Sequence, residues 1–163
     1  MNMSSYKRNL NIGLAGEYMV ASVMSIKGWD ASLTLKNYPA ADIFGYNPEC
    51  DMHVRIQVKT TIAQSSYMTG FKLPSTANED DVSALINGPY VFVYYKNSKK
   101  ETTCILPRFF ILSKQDMIKI VIKENSDYFS KPRNVAVKEV QPLAIKVKNL
   151  EDYENRWENL WVV

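Results

Sequence analysis

The sequence predicts a mixed α/β fold in which helices cover a central β-sheet, and three observations predict it. Residues 13–27, GLAGEYMVASVMSIK, carry apolar residues at helical spacing. Residues 90–96, YVFVYYK, are dense in the β-branched and aromatic residues that favour strands. Segments of these two kinds alternate along the chain, which is typical of a mixed sheet covered by helices.

Chain length and composition indicate a single domain that spans residues 1–163. A length of 163 residues is close to the common size of one domain. Hydrophobic residues make up 46% of the chain, enough for a substantial core, and the charged fraction of 23% is ordinary for a globular protein. No internal repeat or long linker divides the sequence.

The first part of the chain predicts a helix followed by a strand and a hairpin. Asn11 is a candidate N-cap of the 13–27 helix, and Gly28 stands where a C-cap glycine belongs. The Asn-Pro pair within NPECD is a turn signal, so the segments on either side of it should pair. The strands are expected over roughly 29–35, 40–46 and 53–61.

The rest of the chain predicts two more strand-helix units. A Ser-, Thr- and Tyr-rich loop is expected over 62–78, a short helix over 79–87, and paired strands over 90–96 and 102–112. Pro107 places the second of these strands at an edge or a bulge. Ser113 is a candidate cap of a helix over 114–124, with Asp116 in its first turn.

The C-terminal segment predicts a last strand and a last helix. PLAIKVK, residues 142–148, has the composition of a strand. Residues 150–161 place Leu150, Tyr153, Trp157 and Trp161 at helical spacing, which predicts an amphipathic helix.

Charge and residue content exclude several classes of protein. The net charge of +3 permits an anionic partner without requiring one. Cys50 and Cys104 are isolated, which excludes a four-cysteine zinc site and favours a reducing cytoplasm. A single histidine, His53, argues against a Ser-His-Asp triad. The N-terminus lacks the apolar core of a signal peptide, and no apolar run approaches the ~20 residues of a membrane helix.

Polar side chains on one face of the 53–61 strand are the first candidates for chemistry. Gln57 and Lys59 share that face, because side chains alternate along a strand. The alternative interpretation is that this face of the strand is simply exposed to solvent. Asp42 interrupts the apolar strand that is expected to pair with the 53–61 strand. Glu17 lies on the apolar face of the first helix, where a carboxylate must be paired, protonated or metal-bound, although a surface acid at the edge of that face is equally compatible.

Together, Glu17, Asp42, Gln57 and Lys59 suit the hydrolysis of a phosphodiester bond. A divalent ion polarises the phosphoryl oxygen in such a reaction. Mg²⁺ takes oxygen ligands and commonly uses only one or two carboxylates, which Glu17 and Asp42 would supply. Lys59 can orient or deprotonate the attacking water, or offset charge in the transition state.

These segments, GLAGEYMVASVMSIKGWD, YPAADIFGY and VRIQVKTT, resemble the PD-(D/E)XK nuclease superfamily, over roughly residues 12–61. The chain is most similar to small phage- and intron-type endonucleases and Holliday-junction resolvase relatives. The resemblance implies a restriction-endonuclease-like core of a helix, a three-stranded meander, a helix and a strand, with a C-terminal strand and helix added. It implies that Glu17, Asp42 and Gln57 hold Mg²⁺ or Mn²⁺ and that Lys59 is the motif lysine.

The sequence departs from the commonest family pattern at two positions. Ala41 precedes Asp42 in place of proline, which is chemically harmless, and Gln57 stands where most members have a carboxylate. A Gln carbonyl oxygen still ligates Mg²⁺. The two carboxylates disfavour tight binding of a second ion, so we expect a one-metal DNA endonuclease. The alternative is a catalytically inactive module that binds nucleic acid or a protein partner. Cutting both strands of a duplex with one site per chain implies a homodimer.

Overall fold

The computed structural model describes residues 5–35, 41–96, 106–130 and 140–161, and it confirms the mixed α/β class. The helices are α1 (Ser5–Ile26), α2 (Glu79–Leu85) and α3 (Lys114–Ser130). The strands are β1 (Asp30–Leu33), β2 (Ile43–Asn47), β3 (Met52–Ile62), β4 (Ser66–Pro74), β5 (Tyr90–Tyr95), β6 (Arg108–Leu112) and β7 (Val140–Lys146).

The central sheet has five strands in the order β1-β2-β3-β5-β6. The first three strands form an antiparallel meander, β5 runs parallel to β3, and β6 returns antiparallel to β5. The chain crosses from β3 to β5 through β4 and α2, because a parallel connection needs a crossover segment. This succession of helix, meander, helix and parallel strand confirms the predicted restriction-endonuclease-like core.

The two faces of the central sheet are covered by different elements. One face packs against α1, where Val20 and Met24 are fully buried against Ile43 and Ile56. The other face is covered by α2, α3 and a separate two-stranded sheet of β4 and β7. The larger buried side chains of this second layer include Phe92, Phe110, Leu112, Met117, Ile118 and Ile145.

Two glycines let α1 lie unusually close to the sheet. A Cβ added at Gly16 would stand 1.8 Å from Thr60 Oγ1 on β3, and one added at Gly45 would stand 2.6 Å from Met24 Cε. Neither position leaves room for a methyl group. The contact between Gly16 and Thr60 therefore fixes where α1 crosses β3.

The helix boundaries differ from the predicted ones in two places. Helix α1 begins at Ser5, so Asn11 lies inside it and the predicted N-cap is wrong. No glycine or proline interrupts residues 5–12, and the helix continues through them. Ser113 caps α3 as predicted, since its hydroxyl accepts from the Asp116 N–H at 3.1 Å and donates to the Asp116 carboxylate at 2.6 Å. That helix extends beyond residue 124 to Ser130.

The predicted loop over 62–78 is wrong, because residues 66–74 form β4. This strand pairs with β7, and it buries Tyr67, Thr69 and Leu73 while its exposed residues stand between them. The alternation of buried and exposed positions is the period of a strand. Ser, Thr and Tyr are compatible with strands as well as with loops, so composition alone misassigned the segment.

The predicted helix over 150–161 is also wrong. Separate 3-10 turns occupy Val147–Asn149, Glu151–Tyr153 and Trp157–Leu160. Glu154 between them is extended, because it forms an isolated bridge to Phe110 and a bidentate ion pair with Arg108 at 2.6 and 2.7 Å. These contacts fix the segment against β6 and prevent a continuous helix.

The remaining expectations concern cysteines and membranes. Cys50 is an exposed free thiol in the turn between β2 and β3. Cys104 and the first part of the predicted strand 102–112 lie outside the described residues. Among the helices that the structure describes, none has both the length and the apolar character required to span a bilayer.

Candidate metal centre

The candidate site lies where β2 separates from β3. The antiparallel pairing of these strands ends at Ile43 and Ile56. Asp42, just before β2, still donates its main-chain N–H to the Ile56 carbonyl at 2.9 Å, and its own carbonyl accepts from the Thr34 N–H at 3.0 Å. The backbone of Asp42 is therefore held between β1 and β3 at the end of the ladder.

The side chain of Asp42 takes over the hydrogen bond that a longer β2 would have made. Its Oδ2 accepts from the Val58 backbone N–H at 2.7 Å and from the Nε2 amide of Gln57. These two donors fix the orientation of the carboxylate and leave Oδ1 turned away from them. The structure therefore brings two of the four predicted site residues, Asp42 and Gln57, into direct contact.

Lys59 lies on the same face of β3 as Gln57, two residues further along the strand. Both side chains are half-buried and line a cavity of about 300 Å³. The other walls of this cavity are Thr69–Phe71 of β4 and the α2–β5 loop. Asp42 is not among the residues that line this cavity, although it contacts Gln57, which is. A larger cavity of about 680 Å³ at the far end of β5 has none of the four predicted residues in its walls.

Tyr90 is a member of the site that the sequence did not predict. It pairs in register with Gln57 across β3 and β5 and is 6% exposed. Burial, together with the nearby Asp42 carboxylate, raises the pKa of Tyr90 to about 12. Its hydroxyl therefore stays protonated at neutral pH. Within a strand made almost wholly of aromatic and β-branched residues, sequence gave no signal that this tyrosine adjoins an acid.

Gly88 is a second member that sequence treated only as a helix terminator. A Cβ at this position would stand 2.4 Å from the carbonyl oxygen of Arg55 on β3. The α2–β5 loop therefore lies directly on β3, where its Pro89 carbonyl accepts from the Gln57 N–H at 3.1 Å. The glycine allows this loop to form one wall of the cavity.

Glu17 approaches the same strand from the α1 side. It is half-buried and follows Gly16, the residue that contacts Thr60. Thr60 faces α1, whereas Gln57 and Lys59 face the opposite layer, because their side chains alternate along β3. Glu17 thus follows a residue that packs on the α1 side of β3, and its role as a metal ligand remains a prediction.

Comparisons with known proteins find solved structures of similar fold but no similar sequence. No protein-family profile and no curated protein sequence matches the chain. A Holliday junction resolvase from the archaeal hyperthermophile Archaeoglobus fulgidus has 13% identity and a TM-score of 0.40, over 85% of this chain and 86% of that chain. A bacterial homing endonuclease has 12% identity and a TM-score of 0.47, over 96% of this chain and 92% of that chain.

The strand order and connections of the described residues settle the architecture. The chain has a restriction-endonuclease-like fold. With TM-scores and identities this low, the solved structures give no correspondence for individual side chains. The chemistry of this fold in the present chain therefore depends on the groups around Asp42.

Proposed function

We propose that the chain is a divalent-metal-dependent DNA endonuclease whose site is built on Asp42, Gln57, Lys59 and Glu17. One observation carries the proposal: the Asp42 carboxylate is fixed by Gln57 and Val58 where β2 and β3 separate, with Lys59 next on the same face of β3. A carboxylate held by two donors on one oxygen, beside an amide and an ammonium group, is suited to a metal ion and an anionic substrate.

The donor set around Asp42 fits one divalent ion. Asp42 Oδ2 already accepts two hydrogen bonds, which leaves Oδ1 as the oxygen for a metal. The Gln57 side chain also has a carbonyl oxygen, and Glu17 would supply the second carboxylate. Mg²⁺ and Mn²⁺ both take such oxygen ligands. Across the described residues, no group of three or more His, Cys, Asp and Glu side chains converges.

The side chains of the site would act on the phosphate in complementary ways. The bound ion would polarise a phosphoryl oxygen and lower the pKa of a coordinated water. Lys59 Nζ would orient the attacking water or offset the negative charge that builds up on the phosphate. Because that interaction strengthens in the transition state, removal of Lys59 should reduce turnover more than DNA affinity.

The alternative is a module that binds nucleic acid or a protein partner without catalysis. The contact between Gln57 and Asp42 favours it, because the amide gives the carboxylate a hydrogen-bond partner in the absence of a metal. A titration of Mg²⁺ or Mn²⁺ into the pure protein, with and without DNA, separates the two functions. Binding that is lost in Asp42→Asn supports the nuclease, and no binding under either condition supports the module.

A plasmid-nicking assay with Mg²⁺ or Mn²⁺ tests the activity itself. Asp42→Asn keeps an acceptor for the Val58 N–H but removes the charge, and Lys59→Met keeps much of the aliphatic side chain. Both variants should lose most of the nicking that the wild type shows. Lys119→Met, on the exposed side of α3, is the matched control and should retain it. Equal nicking by all four proteins would contradict the proposed mechanism.

A homodimer is part of the proposal, since each chain has one site. The exposed side of α1 supports a second copy as the partner: Tyr18, near the middle of the helix, is 59% exposed, and no exposed residue between positions 9 and 26 is charged. Two copies of α1 packed antiparallel around Tyr18 would be related by a two-fold axis.

Light scattering during size exclusion tests this interface. The wild type should be dimeric, and Tyr18→Arg should be monomeric. Met68→Arg, at an equally exposed apolar position on β4, is the control and should remain dimeric. A monomeric wild type, or a dimer that survives Tyr18→Arg, would remove α1 as the interface. The predicted DNA substrate and cytoplasmic location are parts of the proposal that this experiment does not address.

A further inference from the structure

The β1–β3 meander has an accessible face beside the candidate metal centre. On the side away from α1, Phe44 is 40% exposed, although it lies in the middle strand. A shallow cavity of about 470 Å³ lies over this region, and its walls come from all three strands. Its lining consists of Asp30, Ser32, Phe44, Gly45, Tyr46, His53, Val54 and Arg55.

Arg55 connects this face to the candidate site. It pairs directly with Phe44 and lines both the 470 Å³ cavity and the cavity that contains Gln57 and Lys59. Along β3, Arg55 stands roughly 7 Å from Gln57 and roughly 13 Å from Lys59, at the usual rise per strand residue. An anionic chain that lies across Lys59 can therefore continue over Arg55 without leaving the face.

Aromatic rings stand beside Arg55 on strands rather than on loops. The Tyr46 and His53 rings stack with centroids 4.7 Å apart and an angle of 24° between their planes, and the Tyr46 hydroxyl donates to Asp51 Oδ1 at 3.2 Å. Phe44 lies between this pair and the candidate site. Positioned rings next to a guanidinium group are the features that bind nucleobases in sequence-tolerant single-strand sites.

We propose that this face, with Phe44 and Arg55 at its centre, binds unpaired nucleotides adjoining the phosphate to be cut. The proposal rests on the proposed nuclease function and narrows its substrate to DNA with a single-stranded stretch. Bases inside a duplex are already stacked and cannot lie on Phe44, whereas splayed bases can. Asp30 at the outer end of the face disfavours a phosphate there, so the bound stretch is short.

Fluorescence anisotropy in EDTA measures this binding without cleavage. The probes are a labelled single strand, an intact duplex, and the same duplex with a single-stranded flank. Phe44→Ala should weaken binding of the single strand and the flanked duplex by about five- to a hundredfold, the range for loss of one base stack. Phe44→Trp should restore it, and Arg55→Gln should weaken it and reduce its salt dependence. Met68→Ala is the control at an exposed apolar position away from this face.

The outcomes separate this inference from the nuclease function. If Phe44→Ala and Arg55→Gln bind every probe as the wild type does, the inference is overturned even if metal-dependent nicking is present. The same holds if the intact duplex binds as tightly as the flanked one. If the two variants lose binding while no metal-dependent cleavage is found, the single-strand site stands and the catalytic proposal fails.

Discussion

Replacement of Gly16 by alanine is a sharp test of how α1 is positioned against β3. A Cβ at this position would stand 1.8 Å from Thr60 Oγ1 and 2.9 Å from Thr60 Cβ. Real Cβ atoms do not approach other heavy atoms so closely, so either the helix or Thr60 must move. Because Glu17 is the next residue, the same movement would displace a predicted metal ligand.

Gly13 provides a matched control on the same helix. A Cβ at Gly13 would meet nothing within 4 Å, so Gly13→Ala should gain the helix propensity of alanine and little else, about 0.8–1.0 kcal/mol. Gly16→Ala gains the same propensity but incurs an overpacking cost of about 1–3 kcal/mol. The Gly16 variant should therefore be less stable than the Gly13 variant by about 1–3 kcal/mol.

Urea unfolding of the two variants gives this difference directly, since the propensity contributions cancel. Thr60→Ala removes the closest atom and should recover a large part of the loss when it is combined with Gly16→Ala. The Thr60 hydroxyl is buried and has no hydrogen-bond partner among the residues that the structure describes, so its removal should itself cost little. Equal free energies of unfolding for Gly13→Ala and Gly16→Ala would refute the close contact of α1 with β3.

Three further predictions concern the site and its support. Gln57→Glu replaces a donor to Asp42 with a second carboxylate, so it should lower the melting temperature in EDTA, and added Mn²⁺ should restore it. Gly88→Ala should cost about 1–3 kcal/mol in urea unfolding and slow nicking, because its Cβ would meet the Arg55 carbonyl. Burial alone would raise the pKa of Glu124, but hydrogen bonds from Lys146 and Asn149 hold that pKa below its ordinary value. The contribution of Glu124 to the free energy of unfolding should therefore be complete above about pH 4.3 and decline as the pH falls. In urea unfolding, the difference in stability between the wild type and Glu124→Gln should narrow in acid.

Sequence predicted the core of the fold because local patterns and tertiary packing agree there. The apolar stripe of α1 and the alternation in β3 are both buried where their periods require. The proximity of Asp42 and Gln57 could be predicted for the same reason, because strand alternation and hairpin pairing fix both positions. The family resemblance added the roles of these residues, which alternation alone does not give.

The two segments whose structure was predicted wrongly, 62–78 and 150–161, lie where a distant contact decides the local structure. β4 is a strand because β7, far along the chain, pairs with it. The segment around Glu154 is extended because Arg108 forms an ion pair with it. Tyr90 and Gly88 adjoin the site through the crossover between β3 and β5, a geometry that no short-range pattern encodes. Composition and spacing are local properties, so they could not identify these contacts.

Crystals grown with Mn²⁺ give the most direct measurement of the proposed centre, through the anomalous scattering of manganese. The proposal predicts one ion bonded to oxygens of Asp42, Gln57 and Glu17 at roughly 2.0–2.3 Å, with Lys59 beside it. An ordered crystal in which no manganese lies near Asp42, and the carboxylate of Glu17 faces a different surface, would contradict it.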